Sequence, residues 1–231
     1  MMIYKTVESI KKGSMALIYD FDDREGETDI VMPAHAMTPK TVATMRRDAG
    51  GLICVAIHPV AAQRIGLPFI SDVLRCAGEN GFKTIKSIIE KPGDILYDAR
   101  SSFSLWVNHR DTFTGITDID RALTITEVGK AVHLSMNGGQ VDFGREFRTP
   151  GHVPLLRAAD GLLDERAGQT ELSIALAEMA NITPAMAICE MLDHETGMAL
   201  SREDAKRYAD VHDLALLDGM EIIQGYKAFN R

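Results

Sequence analysis

Between Asp20 and Asp29 the sequence DFDDREGETD sets six carboxylates (Asp20, Asp22, Asp23, Glu25, Glu27 and Asp29) against one base, Arg24. Carboxylates this dense repel one another. A fold that gathers them raises the proton affinity of some or recruits a cation, with magnesium the natural oxygen-seeking partner. The stretch REFRTPGH, residues 145–152, reads as two arginines followed by a Pro-Gly turn that displays His152. A displayed imidazole serves as acid or base near neutral pH, and its arginine neighbours suggest an anionic ligand. In RAGQTE, residues 166–171, a small-residue loop opens a helix capped by Thr170. Backbone N–H groups, the helix dipole and Arg166 can converge there on a phosphate. Glu190 follows Cys189 in the apolar stretch AMAICEML. A carboxylate so placed must be paired, metal-bound or functional, unless the strand ends there and leaves it exposed.

Spacing tests two acidic motifs. A calcium loop started at Asp20 fails, because its sixth position is Glu25 rather than glycine and its twelfth is Val31 rather than a bidentate glutamate. The D-x-D pattern of haloacid-dehalogenase-type phosphohydrolases is met by Asp20 and Asp22 after an apolar strand, and stays open. A solvated acidic loop, or an acidic metal-binding scaffold without turnover, is the non-enzymatic alternative.

The elements that must position these groups follow from the apolar pattern. MALIY, residues 15–19, reads as a buried strand leading into the acids, and apolar character resumes at 30–32, so the acids occupy a strand-to-strand loop. Residues 38–50 form a helix with Thr38 as N-cap, Pro39 at the first position and Gly50 as the stop. Strands are predicted at 52–57, 102–109 and 153–158. The C-terminal third alternates helix 170–180, strand 185–192, helix 201–213, strand 214–217 and a last helix. Residues 71–100 carry several glycines and little periodicity, and read as loose. No repeat or composition break divides the chain, so the expectation is one α+β domain over residues 1–231, a mixed sheet with surrounding helices.

The chain has 231 residues, 45% of them hydrophobic and 25% charged, enough to bury a core without covalent staples. Net charge is −8, and five of those eight excess charges lie in the acidic loop, which speaks against a nucleic-acid partner. Cys54, Cys76 and Cys189 are odd in number and without C-x-x-C spacing, as in a reducing cytoplasm. No apolar run approaches a membrane span, and no sustained apolar segment precedes Glu8, Lys11 and Lys12.

Taken together, DFDDREGETD, the strand with Cys54, HRDTFTGITDIDRALTI, FGREFRTPGHVPLLRA, RAGQTELSIALAEMA and ICEML resemble 3,4-dihydroxy-2-butanone 4-phosphate synthase, in that family's order and with archaeal wording. The resemblance covers essentially the whole chain and implies a stand-alone lyase of riboflavin biosynthesis. Such an enzyme converts ribulose 5-phosphate to 3,4-dihydroxy-2-butanone 4-phosphate and formate by way of an enediolate, dehydration and skeletal rearrangement. A homodimer with active sites near the subunit interface is implied, with magnesium required as one or two ions and manganese able to substitute. By motif, His152 and Glu190 correspond to catalytic residues. Arg24, Glu25, Asp29, Arg166, Ala167, Gly168, Gln169, Thr170 and Glu190 correspond to substrate-binding positions, with Thr112 and Cys54 as further site-lining residues. Glu25 and Gln169 stand at the metal positions. One departure matters: Gln169 replaces the family's usual metal-binding histidine, which admits a catalytically impaired synthase as an alternative. A glutamine amide oxygen remains a competent ligand for a hard cation.

Overall fold

The apolar runs become strands that are buried on both faces, as expected where helices cover both sides of a sheet. In the computed structural model, which describes residues 2–230, a helix α1 (Met2–Lys11) leads into β1 (Ala16–Tyr19) and β2 (Thr28–Pro33), joined by the acidic loop. Helix α2 (Pro39–Thr44) starts on Thr38, whose hydroxyl accepts the Thr41 N–H. It continues through a wider turn (Met45–Ala49) and stops at Gly50, at φ +87°, as the sequence predicts. Strand β3 (Cys54–Ile57) and helix α3 (Pro59–Ile65) follow.

The segment read as loose contains two helices, α4 (Ile70–Glu79) and α5 (Lys83–Ile88). The short α5 buries no residue, which is why no periodicity betrays it. Residues between α5 and β4 (Phe103–His109) are irregular, as expected. Next come α6 (Asp118–Met136), the short α7 (Phe143–Glu146) and β5 (Phe147–Arg157). Helix α8 (Gln169–Met179), β6 (Ala185–Glu190), α9 (Arg202–His212), β7 (Leu216–Asp218) and α10 (Gly219–Phe229) complete the alternation predicted for the C-terminal third.

The strands form a seven-stranded mixed sheet in the order β4-β5-β3-β6-β2-β1-β7. β3 pairs parallel with β5 and β1 parallel with β7, while the other pairings are antiparallel. Side chains alternate between two cores. Leu17, Ile30, Val55 and Ile57 face α6 residues such as Ile125, Val128 and Val132, whereas Ile18, Val31, Cys54, Ala56, Met186 and Ile188 face Leu172, Ile174 and Leu176 of α8. The period of two puts Asp29 on the α8 side with Val31, and Glu190 there with Ile188. One expectation needs correcting. Residues 149–152 lie within β5 rather than at the tip of a Pro-Gly turn, extruded as a bulge between the pairs Asn108–Arg148 and Val107–Val153.

Candidate active site

Antiparallel pairing sets Asp29 of β2 directly opposite Glu190 of β6. Both line a cavity with Glu25, Cys54, Leu156, Ile188, Gln169, Thr170 and Arg166, walled on another side by Tyr97, Asp98 and Arg100. The sheet thus delivers a carboxylate pair, and α8 brings its N-terminus to the same spot.

The acidic loop is shaped by Asp20. Its buried carboxylate accepts the backbone N–H of Glu25 and of Glu27, both at 3.0 Å, and pairs with Arg24 at 3.5 Å. These bonds fold the loop so that Glu25 and Glu27 approach the cavity while Asp22 and Asp23 stay exposed. Asp22 accepts the Tyr19 hydroxyl at 2.6 Å. With both Asp20 oxygens engaged in loop backbone, and β1 antiparallel to β2, the D-x-D phosphohydrolase reading is overturned.

Burial and mutual repulsion dominate the electrostatics. Fully buried Asp29 has its carboxyl pushed well up by desolvation and by Glu190, Glu25, Glu27 and Asp20. Glu27 is raised to about 7 by burial, then by Glu25, Glu190 and Asp20. Glu25 is also raised by burial, against the pull of Arg24. Two oxygens here are buried and unpartnered: Asp29 Oδ1 and Gln169 Oε1. The orientation of Gln169 is settled, because its Nε2 donates to the carbonyls of Ile18 and Glu27, both at 3.1 Å, which leaves the oxygen as the free ligand atom. An all-oxygen, electron-rich donor set suits a hard divalent cation. Among the described residues no three His, Cys, Asp or Glu side chains form a ready cage. A magnesium ion held by few protein oxygens and completed by water fits such a site.

Arg24 and Arg166 form the cationic side. Arg24 lies 3.1 Å from Glu25, and Arg166 donates to buried Glu171 at 2.6 Å. Both also reach Asp98, Arg24 at 2.5 Å and Arg166 through its Nε. Glu171 further accepts the N–H groups of Ala159 (2.9 Å) and Gly168 (3.3 Å). The N-cap of α8 is therefore Gly168, with Glu171 reaching back to it, and not Thr170 as expected. Gly168 carries no side chain for a steric reason: a Cβ there would lie 2.8 Å from Arg24 Nη2 and collide with the Arg166 guanidinium. Ala167, half-buried in the irregular stretch before Gly168, does not line the cavity, and neither does Gly168. Glu190 accepts the Leu52 N–H at 2.7 Å. The thiol of Cys54 lines the cavity, buried, with its proton affinity pushed up by burial, Glu190 and Asp29.

His152 and Thr112 do not line this cavity. They share another patch, organised by residues that the sequence reading did not single out. Asn108 Oδ1 accepts the His152 N–H at 2.8 Å, and Asn108 Nδ2 lies 3.1 Å from His152 Nδ1. Since the amide nitrogen donates, neutral His152 carries its proton on the outward Nε2. Asp120 accepts the N–H groups of Phe113, Thr114 and Gly115, and Thr112 bonds the His109 carbonyl at 2.7 Å. Around them Phe113 (95%), Ile119 (70%) and Ile116 (50%) are exposed. The only sequence signal for Asp120 was a second acid, two residues after Asp118, at the helix start in TGITDID.

Residues 4–225 match the family described as 3,4-dihydroxy-2-butanone 4-phosphate synthase. The chain is 61% identical to the synthase of that name from Archaeoglobus fulgidus, over 97% of this chain and 94% of that one. It is 58% identical to the Methanosarcina mazei synthase, over 97% and 90%. Among solved structures, the Candida albicans synthase superposes with a TM-score of 0.74 at 26% identity, covering 96% of this chain and 95% of that one. A synthase solved in complex with two magnesium ions superposes at 0.76 with 23% identity, over 96% and 94%, and shares the fold.

Proposed function

The chain belongs to the 3,4-dihydroxy-2-butanone 4-phosphate synthase family, and from that premise we propose that the cavity between β2, β6 and the N-terminus of α8 converts ribulose 5-phosphate to 3,4-dihydroxy-2-butanone 4-phosphate and formate. The observation that carries the reading is the meeting, at one cavity, of buried Asp29, its proton affinity raised, with Glu190 directly opposite it, and of Arg166 at a helix N-terminus with Arg24 beside it. The atoms of the two products sum to those of the substrate, so no oxidant or net water is required.

Arg166, Arg24 and the first turn of α8 bind the phosphate, and that remote anchoring orients the sugar carbons over the carboxylates. Glu190, fixed by the Leu52 N–H, takes the proton from carbon that begins the sequence. Asp29, whose proton affinity is raised by burial and acidic neighbours, returns a proton to a leaving hydroxyl. Glu25 and Gln169 Oε1 would hold magnesium, the cation carried by a solved relative in a pair of ions, with manganese as a substitute. The cation supplies charge neutralisation for oxygens beside the reacting carbon. The free, preoriented Gln169 oxygen supports a working metal site over the impaired alternative.

His152 completes the proton traffic from a second copy of the chain. The support is its absence from the cavity of its own chain, its outward Nε2, and the exposed Phe113, Ile116 and Ile119 beside it, the kind of patch a partner covers. The protein is thus read as a homodimer acting on a sugar phosphate. No helix among the described residues is long and apolar enough to cross a membrane, and three free cysteines suit a reducing cytoplasm. The test is formate release from ribulose 5-phosphate with magnesium or with a chelator, assaying inorganic phosphate in the same samples. Chelator-sensitive formate without free phosphate is expected. Free phosphate, or no formate from folded protein, overturns the reading.

A further inference from the structure

The arginine pair is already bridged by a carboxylate of the chain itself. Asp98 comes from the irregular segment between α5 and β4, and its oxygen meets both Arg24 Nη2 and Arg166 Nε. We propose that Asp98 is a specificity-determining gate: its carboxylate occupies the position a substrate phosphate takes between Arg24 and Arg166, the two are mutually exclusive, and phosphate entry releases residues 91–98. The inference rests on the phosphate site read above and deepens it.

Three features carry it. First, each arginine keeps its place without Asp98, Arg166 through Glu171 and Arg24 through Glu25 and Asp20. Gly168 lets both guanidiniums pack against the chain behind them. The pair therefore stays preorganised when the carboxylate leaves.

Second, Asp98 supplies the polar contacts that tie residues 91–98 to the rest of the described molecule. Lys91 and Asp94 bond only within the segment, and Tyr97 lies under Arg24 with its ring centre 5.4 Å away. Leu96 is 95% exposed, so the apolar surface that releasing the segment uncovers is confined to half-buried Ile95 and the covered half of Tyr97. Both ends are fastened independently. Glu90 accepts the Ser101 N–H at 3.2 Å, and Arg100 bonds Ser71 and Asp72 at 3.0 Å while stacking on Phe69. A flap with held ends and one latch near its C-terminal end results.

Third, Asp98 stands in the wall between two clefts that share Arg166, the carboxylate cavity and a neighbour lined by Arg100 and Arg157. Withdrawing it opens one onto the other. The exchange also selects the ligand. A tethered carboxylate brings a single charge, whereas a phosphate monoester brings nearly two and three acceptor oxygens, so it displaces Asp98 where a free carboxylate or an unphosphorylated sugar does not.

Calorimetric titration with inorganic phosphate, alongside chymotryptic cleavage at Leu96 and Tyr97, tests the proposal on the wild type and the isosteric Asp98→Asn variant. The expected result is phosphate binding on the order of tenfold tighter in Asp98→Asn, with wild-type cleavage quickened by phosphate. Unchanged or weaker phosphate binding in Asp98→Asn, or protection of the segment by phosphate, overturns the gate and makes Asp98 a fixed anchor. An Arg24→Gln variant separates the two levels. If it loses phosphate while Asp98→Asn gains nothing, the phosphate site stands and the gate falls; if it binds phosphate as the wild type does, both fall together.

Discussion

At the scale of single residues, the chemistry depends on side chains that do none of it. Gly168 is one. Adding a methyl there crowds Arg24 and Arg166 together, and overpacking of this kind costs about 1–3 kcal/mol. Gly168→Ala is expected to raise KM for ribulose 5-phosphate about tenfold, with a small drop in melting temperature; an unchanged KM would contradict the packing argument. Asn108 is another, holding His152 in one tautomer. Asn108→Ala should lower kcat by about ten- to a hundredfold with KM nearly preserved, a part of the roughly 10²–10⁴-fold that general acid–base catalysis contributes. Steady-state kinetics read the split directly. Gln169 was legible in the sequence only as a departure from a pattern. The two carbonyls that orient its amide belong to β1 and the acidic loop, distant in sequence, so nothing in RAGQT could reveal them. Gln169→Ala should raise the magnesium concentration for half-maximal activity by about tenfold.

At the scale of elements, the acidic loop and the β2/β6 pairing store unfavourable charge that a cation relieves. Glu27 is held near 7 and Asp29 is pushed well up by burial and its acidic neighbours, against ordinary carboxylate values near 4 in the unfolded chain. For a carboxylate whose folded value is raised, the native state binds more protons in between. Its stabilising contribution is therefore full below the unfolded value and is lost as pH rises through the folded one. Metal-free protein should thus lose thermal stability as pH climbs from about 5 to 8. For half-buried Glu27 this is about 1 kcal/mol once solvent screening is allowed for. Magnesium should restore it, and Glu27→Gln should flatten the slope; melting curves across that range check all three. The elements themselves were largely legible. Thr38, Pro39 and Gly50 punctuated α2 as expected, and the apolar runs became strands. Helix α5 escaped because a short helix that buries no residue leaves no apolar stripe to read, whereas α4 carries an apolar stripe, Ile70, Val73, Leu74 and Ala77, that was legible and was passed over among the neighbouring glycines.

At the scale of the whole molecule, the proposed site residues divide into two sets on one chain. Glu25, Asp29, Gln169 and Glu190 line the cavity, while His152 and Thr112 stand on the patch ordered by Asn108 and Asp120. If a second copy closes the site, two inactive variants must repair each other. Mixing His152→Ala with Glu190→Gln, each inactive alone, should restore about a quarter of wild-type activity, because half the dimers are mixed and each holds one intact site. No recovery after exchange of subunits would place both groups in one chain. Sedimentation of the separate variants checks that they remain dimers.

The amino-acid sequence by itself determined the family, the α+β class and the acidic loop, and it singled out the candidate site residues, because these rest on residue types, local periodicity and motif order. Tertiary structure decided which of them meet. Strand register alone sets Asp29 against Glu190, a one-residue slip of which would turn both to the opposite core. The pairing of β4 with β5 turns an apparent Pro-Gly turn into a bulge. The long-range approach of residue 98 to residues 24 and 166 places a carboxylate where only the folded chain brings the two arginines together.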